Sequence, residues 1–204
     1  MLKSIEIAGF KSFRDKARLD FTSPISSIVG PNGSGKSNVA EAFRFALGEQ
    51  SMKSLRGRKS EDLIFNGSAG GGRSNRASVK VTFDNSRRIL DVDFDDCVVE
   101  RIVHRNGSHE YKINDSRVRR KDITEFLAKA NIGSTGHHII SQGEADRILS
   151  VSADERRSMI EDALGLRIFH LKKKESRSRL HQTARNLHAV EALRTEIKPH
   201  LNFL

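Results

Sequence analysis

Tryptophan is absent from this 204-residue chain, and Tyr111 is its one tyrosine. That scarcity argues against a surface that stacks unpaired bases on aromatic rings. Cysteine is almost as rare. With Cys97 alone, no disulfide can form within the chain, and no cysteine-based zinc site or CxxC redox motif is possible. Such usage suits a reducing cytosol. The opening "MLKSIEIAGF" lacks the apolar core of a signal peptide. No apolar run approaches the ~18 residues that a membrane span needs. Acid is also short relative to base: 26 Asp and Glu stand against 36 Lys and Arg, a formal net charge of +10. The excess favours an anionic partner such as nucleotide or nucleic acid.

What is present reads first as strands. Ile5 and Ile7 alternate with polar neighbours in the opening segment. In "KARLDF", Ala17, Leu19 and Phe21 alternate with charge. "ISSIVG" (25–30) is a short apolar strand running into a glycine-rich loop. Beyond the loop, Val39, Ala42, Phe43, Ala46 and Leu47 mark one face of a helix that Gly48 stops. Residues 66–76 are a loop by composition, "VKVTFD" alternates again, and "RILDVDFDD" reads as an amphipathic strand. Asn106-Gly107 sits between two strand-like runs, a strong hairpin signal. Asp122 with Glu125, and Ser152 with Glu155, form capping boxes for two helices. From Leu166 the strand pattern ends. Leu180, Ala184, Leu187, Val190, Ile197, Leu201 and Leu204 recur as a coiled-coil seam on a basic helix, which Pro199 should kink or break. The expected division is therefore an α/β lobe over 1–165 and a helical extension over 166–204.

The chemistry concentrates in "GPNGSGKSN": Gly30, Pro31, Asn32, Gly33, Ser34, Gly35, Lys36, Ser37 and Asn38. Gly30, Gly35, Lys36 and Ser37 fit G-x-x-x-x-G-K-[ST] between a strand and a helix, the setting a phosphate loop requires. Glycines let backbone N–H groups curl around phosphate oxygens. Lys36 places a compact cation on the β and γ phosphates, the Ser37 hydroxyl can ligate Mg²⁺, and the helix adds its positive end. A hydrolytic site also needs an acidic motif, about four apolar residues followed by Asp-Glu. Neither "RILDVDFDD" nor "MIEDALG" qualifies, and no "SGG" turn is present. The residues therefore predict nucleotide binding without a complete hydrolysis site.

Six blocks carry a family resemblance: "GFKSF" (9–13), "GPNGSGKSN", "LGEQSMKSLRG" (47–57), "LIFNGS" (63–68), "IISQGE" (139–144) and "RRSMIEDALG" (156–165). Together they resemble the N-terminal half of the prokaryotic SMC chromosome-segregation ATPase over essentially the whole chain. The resemblance implies a P-loop NTPase fold of the ABC-ATPase head type, N-terminal lobe, with the start of an outgoing coiled coil. The C-terminal half of such a head supplies the signature motif and the Walker B acids, which would account for the missing acidic pair.

By position, the resemblance assigns Lys36 and Ser37 to phosphate and Mg²⁺, and Gln142 to the Q-loop glutamine that touches Mg²⁺ and the attacking water. It assigns Arg56 to the arginine that reaches the nucleotide from a neighbouring loop, and Lys11 and Ser12 to a turn near base and ribose. Arg58, Lys59, Arg117, Arg119, Arg120 and Lys121 match a face that contacts double-stranded DNA through phosphates, without sequence choice. The implied partners are the C-terminal half-head, a second SMC head, a kleisin subunit at the neck helix, and DNA, in a cytoplasmic, nucleoid-associated setting with ATP and Mg²⁺ as cofactors. Two other readings stay open: a coiled-coil repair ATPase of the zinc-hook or RecN-like kind, and a structural DNA-binding module that does not hydrolyse ATP. A transporter subunit fits poorly, because no signature motif follows "IISQGE".

Overall fold

The computed structural model describes residues 1–68, 72–130, 132, 139–140, 152–164 and 166–201. They form two compact units, Met1–Leu164 and Gly165–Leu204. The first is built on a six-stranded antiparallel sheet: β1 (Leu2–Ala8), β2 (Ala17–Asp20), β3 (Arg76–Asp84), β4 (Asp96–His104), β5 (His109–Ile113) and β6 (Ser116–Val118), in the order β2-β1-β3-β4-β5-β6. Helix α1 (Lys36–Ala46) packs against β3, β4 and β1, and α2 (Arg120–Lys129) against β5.

Register explains the two faces. Ile5 pairs with Leu19 and Val81, and Val81 with Val99. In the next row Ile7 pairs with Val79, Val79 with Arg101, and Arg101 with Tyr111. Since side chains alternate across a strand, these rows share the face that meets α1. All of them except Leu19 are buried. On the other face charges alternate across strands: Arg18, Glu6, Lys80, Glu100 and Lys112 are cross-strand neighbours. Opposite charges facing one another support the pairing, with Arg18–Glu6 at 2.7 Å and Lys112–Glu100 at 3.3 Å.

Gly107, at φ +79°, closes the β4–β5 hairpin as the Asn-Gly signal predicts. A second tight turn, Asn114-Asp115, has both residues at positive φ and joins β5 to β6. Helix α2 begins at Arg120, earlier than the Asp122 box predicts. Asp122 lies inside its first turn, and its carboxylate accepts from the Arg119 backbone N–H at 2.8 Å. The Ser152–Glu155 box forms as expected at the start of α3 (Ala153–Ala163): Glu155 N donates to Ser152 Oγ and Ser152 N to the Glu155 carboxylate.

Three local readings are corrected. "RILDVDFDD" is largely a loop, because one buried side chain gathers it. The Asn85 amide donates to the carbonyls of Leu90, Val92 and Phe94, and accepts from Leu90 N. Residues 25–30 form no strand, since no neighbouring strand among the described residues offers them a ladder. Ile25, Ile28 and Val29 stay exposed. In the second unit α4 (Arg167–Leu201) is not broken at Pro199, the second of the two outcomes expected there, and continues two residues past it. Leu180, Leu187, Val190 and Ile197 are exposed along it, as is Leu193, which the seam pattern missed. Leu204 lies outside the described residues.

Candidate nucleotide site

The phosphate loop leads directly into α1. Gly35 is the residue before the helix and sits at φ +90°, and Gly33 lies at φ +82°. Both are in the left-handed region that suits glycine. A Cβ on Gly35 would stand 2.6 Å from Ser12 Oγ, so the "GFKSF" turn packs straight against the loop. Asn38 reinforces the contact by donating from Nδ2 to Ser12 Oγ at 2.7 Å.

No side chain caps the N-terminus of α1, and no acidic residue lies in its first turn. The helix therefore presents its positive end and its first N–H groups without an internal anion. Lys36 curls back so that Nζ donates to the carbonyls of Gly30 and Pro31, at 2.6 and 2.7 Å. The ammonium thus stands at the loop mouth, bracing the loop. Ser37 is exposed. A hydroxyl beside an uncapped helix end, with a lysine at the mouth, fits a metal-bound phosphate chain.

Beside the loop, Leu2, Ile5, Phe21, Ile28, Lys36, Val39, Ala40, Phe43 and Ile139 line an open, mainly apolar groove of about 240 Å³. It adjoins the unpaired segment 25–30, so this side of the lobe presents apolar surface next to the phosphate loop.

Two loops converge on α1 from another side. Lys11 donates from Nζ to the Glu41 carboxylate and, at 2.5 Å, to Leu55 O. Its ammonium is thereby committed within the protein. Arg56 Nε lies 3.3 Å from Glu41 Oε1, with the arginine side chain 56% exposed. Lys11 and Arg56 both have positive φ, 48° and 46°, a conformation that costs non-glycine residues energy. Ser12 and Arg56 thus both contact α1, through Asn38 and Glu41.

Sequence reasoning did not find the buried charges on and around α1. Glu41 and Arg44 are 5% and 6% exposed, although the helical stripe was read from its apolar residues alone. Arg44 Nη2 donates to Ile139 O at 2.8 Å, which ties α1 to the first residue of the "IISQGE" block. Gln142, in that block, lies outside the described residues. Arg101, 3% exposed, interrupts the apolar inner face of β4. Its Nη1 donates to Phe45 O at 3.0 Å and Glu49 O at 2.7 Å, and its guanidinium lies over the Phe45 ring at 4.1 Å. It places positive charge at the C-terminal end of α1, where the helix dipole favours it. Burial pushes its pKa down to about 10. The sequence signal was available: an arginine at an inward position between Val99 and Val103.

The candidate DNA groups Arg58, Lys59, Arg117, Arg119, Arg120 and Lys121 are all exposed. The carboxyl of Asp62 accepts from the backbone N–H of Arg58 and Lys59, which holds its pKa below the usual range and shapes their loop; the Lys59 bond is the larger cause. Arg117 is paired with Glu110 at 2.7 Å, and Lys121 with Glu125 at 3.6 Å. His109 lies close to the residue that follows Lys59 and to the buried Arg101. Ser60 Oγ lies 3.4 Å from His109 Nε2, and Arg101 Nη2 lies 3.4 Å from Nδ1. The charge of Arg120 is felt by Arg101. Burial first, and then Arg101, push the His109 pKa down to about 4.

The "GFKSF" turn thus packs on the phosphate loop, and the Arg56 loop meets α1 at Glu41. Residues 1–153 match the family model of the RecF/RecN/SMC N terminal domain. The chain belongs to that family. Chromosome partition protein Smc of Desulfitobacterium hafniense (strain Y51) is 44% identical over 200 residues, covering 98% of this chain and 17% of the relative. The Smc of Bacillus subtilis (strain 168) is 43% identical over 197 residues, covering 97% and 17%. The chain thus spans less than a fifth of the length of these relatives.

Among solved structures, the Smc head domain with an extended coiled coil, derived from Pyrococcus furiosus and bound to the C-terminal domain of ScpA, superposes with a TM-score of 0.77. It is 35% identical, and the match covers 97% of this chain and 50% of that one. A second, from work on ATP-driven dimerization and DNA stimulated activation of SMC ATPases, has a TM-score of 0.73 at 35% identity, covering 79% and 98%. The fold is therefore that of the ABC-type SMC head, with a coiled-coil extension. No helix among the described residues is long and apolar enough to cross a membrane.

Proposed function

We propose that this chain is the ATP-binding half of an SMC head, and that it hydrolyses ATP only when a C-terminal half-head completes it and two heads engage. One arrangement carries the reading: an uncapped α1 N-terminus with Lys36 at the mouth of the loop, beside an apolar segment, residues 25–30, that has no strand partner among the described residues. The first feature suits a triphosphate. The second suits a docking sheet, because an exposed apolar strand-like run gains hydrogen bonds and burial by pairing.

Within this proposal the loop N–H groups and Lys36 hold the β and γ phosphates. Ser37 and Gln142 hold Mg²⁺, which offsets charge on the phosphates. Arg56 approaches the phosphates from its loop, and Ser12 supports the loop from behind. The exposed basic groups around His109 contact DNA phosphates, the apolar stripe of α4 pairs with the returning coil and a kleisin helix, and the whole acts in chromosome condensation and segregation.

The test is steady-state ATP hydrolysis by this chain alone, by a C-terminal half-head alone, and by both mixed. Background turnover by each half is expected, with activity in the mixture that rises more than linearly with protein concentration. Robust turnover by this chain alone would place a catalytic carboxylate inside it and end the split-head reading.

A further inference from the structure

Glu41 has no role in a standard phosphate loop, yet it is the most heavily engaged acid beside this one. It lies four residues after Ser37, on the same face of α1. Its side chain is 6% exposed and receives cations from two separate loops, Lys11 and Arg56. The two contacts are unequal. Lys11 is 12% exposed at its side chain and holds Glu41 Oε2 together with Leu55 O. Arg56 is 56% exposed and meets Oε1 at 3.3 Å, and Oε1, although buried, has no hydrogen bond among the described residues. A buried carboxylate oxygen without a hydrogen bond is costly, so Oε1 keeps a strong demand for a donor that Arg56 satisfies only by charge.

This asymmetry divides the labour. The Lys11–Glu41–Leu55 link fastens the "GFKSF" turn and the backbone just before Arg56 to the phosphate-loop helix. Leu55 itself is fully buried, which fixes where the Arg56 side chain starts. The guanidinium is held more weakly and remains largely in solvent.

We propose that Glu41 is a positioning residue that keeps Arg56 in reserve beside the phosphate loop and releases it to an anionic ligand, while Lys11 stays fixed. The inference rests on the nucleotide-binding reading above. In the ligand-free protein Glu41 competes with phosphate for Arg56. With the Arg56 side chain half in solvent and no hydrogen bond joining it to Oε1, this side of the pair is weak enough to be exchanged.

The experiment uses the full chain with E41Q, R56A and the double variant, Mg-ATP as probe, and the Arg56 Nε–H resonance, identified by its loss in R56A. E41Q keeps the shape of the side chain and leaves Leu55 O to hold Lys11. It is expected to shift the Arg56 resonance and speed its hydrogen exchange before any nucleotide is added. It should also raise ATP affinity by about fivefold, a gain that falls below about twofold once Arg56 is alanine. Glu41→Asp should restore the parent resonance in large part, which a loss of packing would not. An Arg56 resonance unmoved by E41Q would overturn the proposal, as would an affinity gain of the same size in the R56A background. If the parent chain fails to bind ATP at all, the nucleotide reading falls and the release falls with it. If the parent binds and the cycle shows no coupling, only the inference about Glu41 is lost.

Discussion

Replacing Arg101 with methionine tests whether a buried cation holds the end of the phosphate-loop helix. The methionine is similar in length and apolar, so packing against Phe45 and Tyr111 is largely kept. What disappears is a pair of charge-assisted hydrogen bonds, to Phe45 O at 3.0 Å and Glu49 O at 2.7 Å, worth roughly 1.5–3 kcal/mol each. The contact over the Phe45 ring at 4.1 Å adds about 1 kcal/mol. Against these stands the cost of taking the guanidinium out of water. Burial is the main cause that pushes its pKa down to about 10, which puts that cost on the order of 3 kcal/mol. Both carbonyls also keep a second donor, Gly48 N to Phe45 O at 3.1 Å and Gln50 Nε2 to Glu49 O at 3.3 Å, so neither is stranded. The balance is a loss of about 2 kcal/mol, or a fall in Tm of roughly 4–8 °C for a domain of this size. Urea unfolding at neutral pH measures it. Arg101→Lys should fall between parent and methionine, since an ammonium cannot span both carbonyls in the same way. A methionine variant as stable as the parent would show that the bonds of Arg101 merely offset its desolvation, as happens at some buried charges, and the capping role would be refuted.

Other outcomes follow from the same structure. His109 is neutral in the folded protein, with its pKa lowered from 6.5 to about 4. Its contribution to stability is complete above about pH 6.5 and is lost as pH falls toward 4, because the unfolded chain takes up the proton first. His109→Gln should flatten that part of a Tm-versus-pH curve, and an unchanged curve would exclude the residue. Cys97 is buried and its thiol is pushed up to about 11, so a thiol reagent at pH 8 should label it only in denaturant; rapid labelling of the folded chain would contradict its placement. Charge reversal at Arg119 and Lys121 should weaken binding to random DNA duplexes and reduce the salt slope by roughly 2; an equal slope in the variant would remove this patch from the proposed DNA face.

Much of the lobe was legible because its determinants are local. Alternation in "VKVTFD", the Asn106-Gly107 turn, the Ser152–Glu155 box and the apolar spacing of α1 each specify an element within a few residues of sequence. The phosphate loop belongs with them, since its glycines and Lys36 are adjacent in the chain. What escaped was tertiary. Glu41 and Arg44 look like solvent-facing residues on a helix until Lys11, 30 residues away, and Ile139, 95 residues away, close over them. "RILDVDFDD" has the alternation of a strand, but Asn85 captures three of its carbonyls and turns it into a loop. Residues 25–30 have the apolar content of a strand and, among the described residues, no strand to pair with.

That last difference meets the absence noted in the sequence. The phosphate loop lacks an Asp-Glu pair, and the segment leading into it lacks a strand on its flank. A single element would supply both: an apolar strand ending in Asp-Glu, laid beside residues 25–30. Its backbone would give that segment a ladder partner, and its apolar side chains would cover Ile28 and the groove lined by Val39 and Phe43. A neighbour running parallel to residues 25–30 would end where that segment enters the phosphate loop, and so would bring its carboxylates toward Ser37. In the proposed split head, docking and catalytic competence are therefore one event: the chain that covers the exposed apolar segment also delivers the acids.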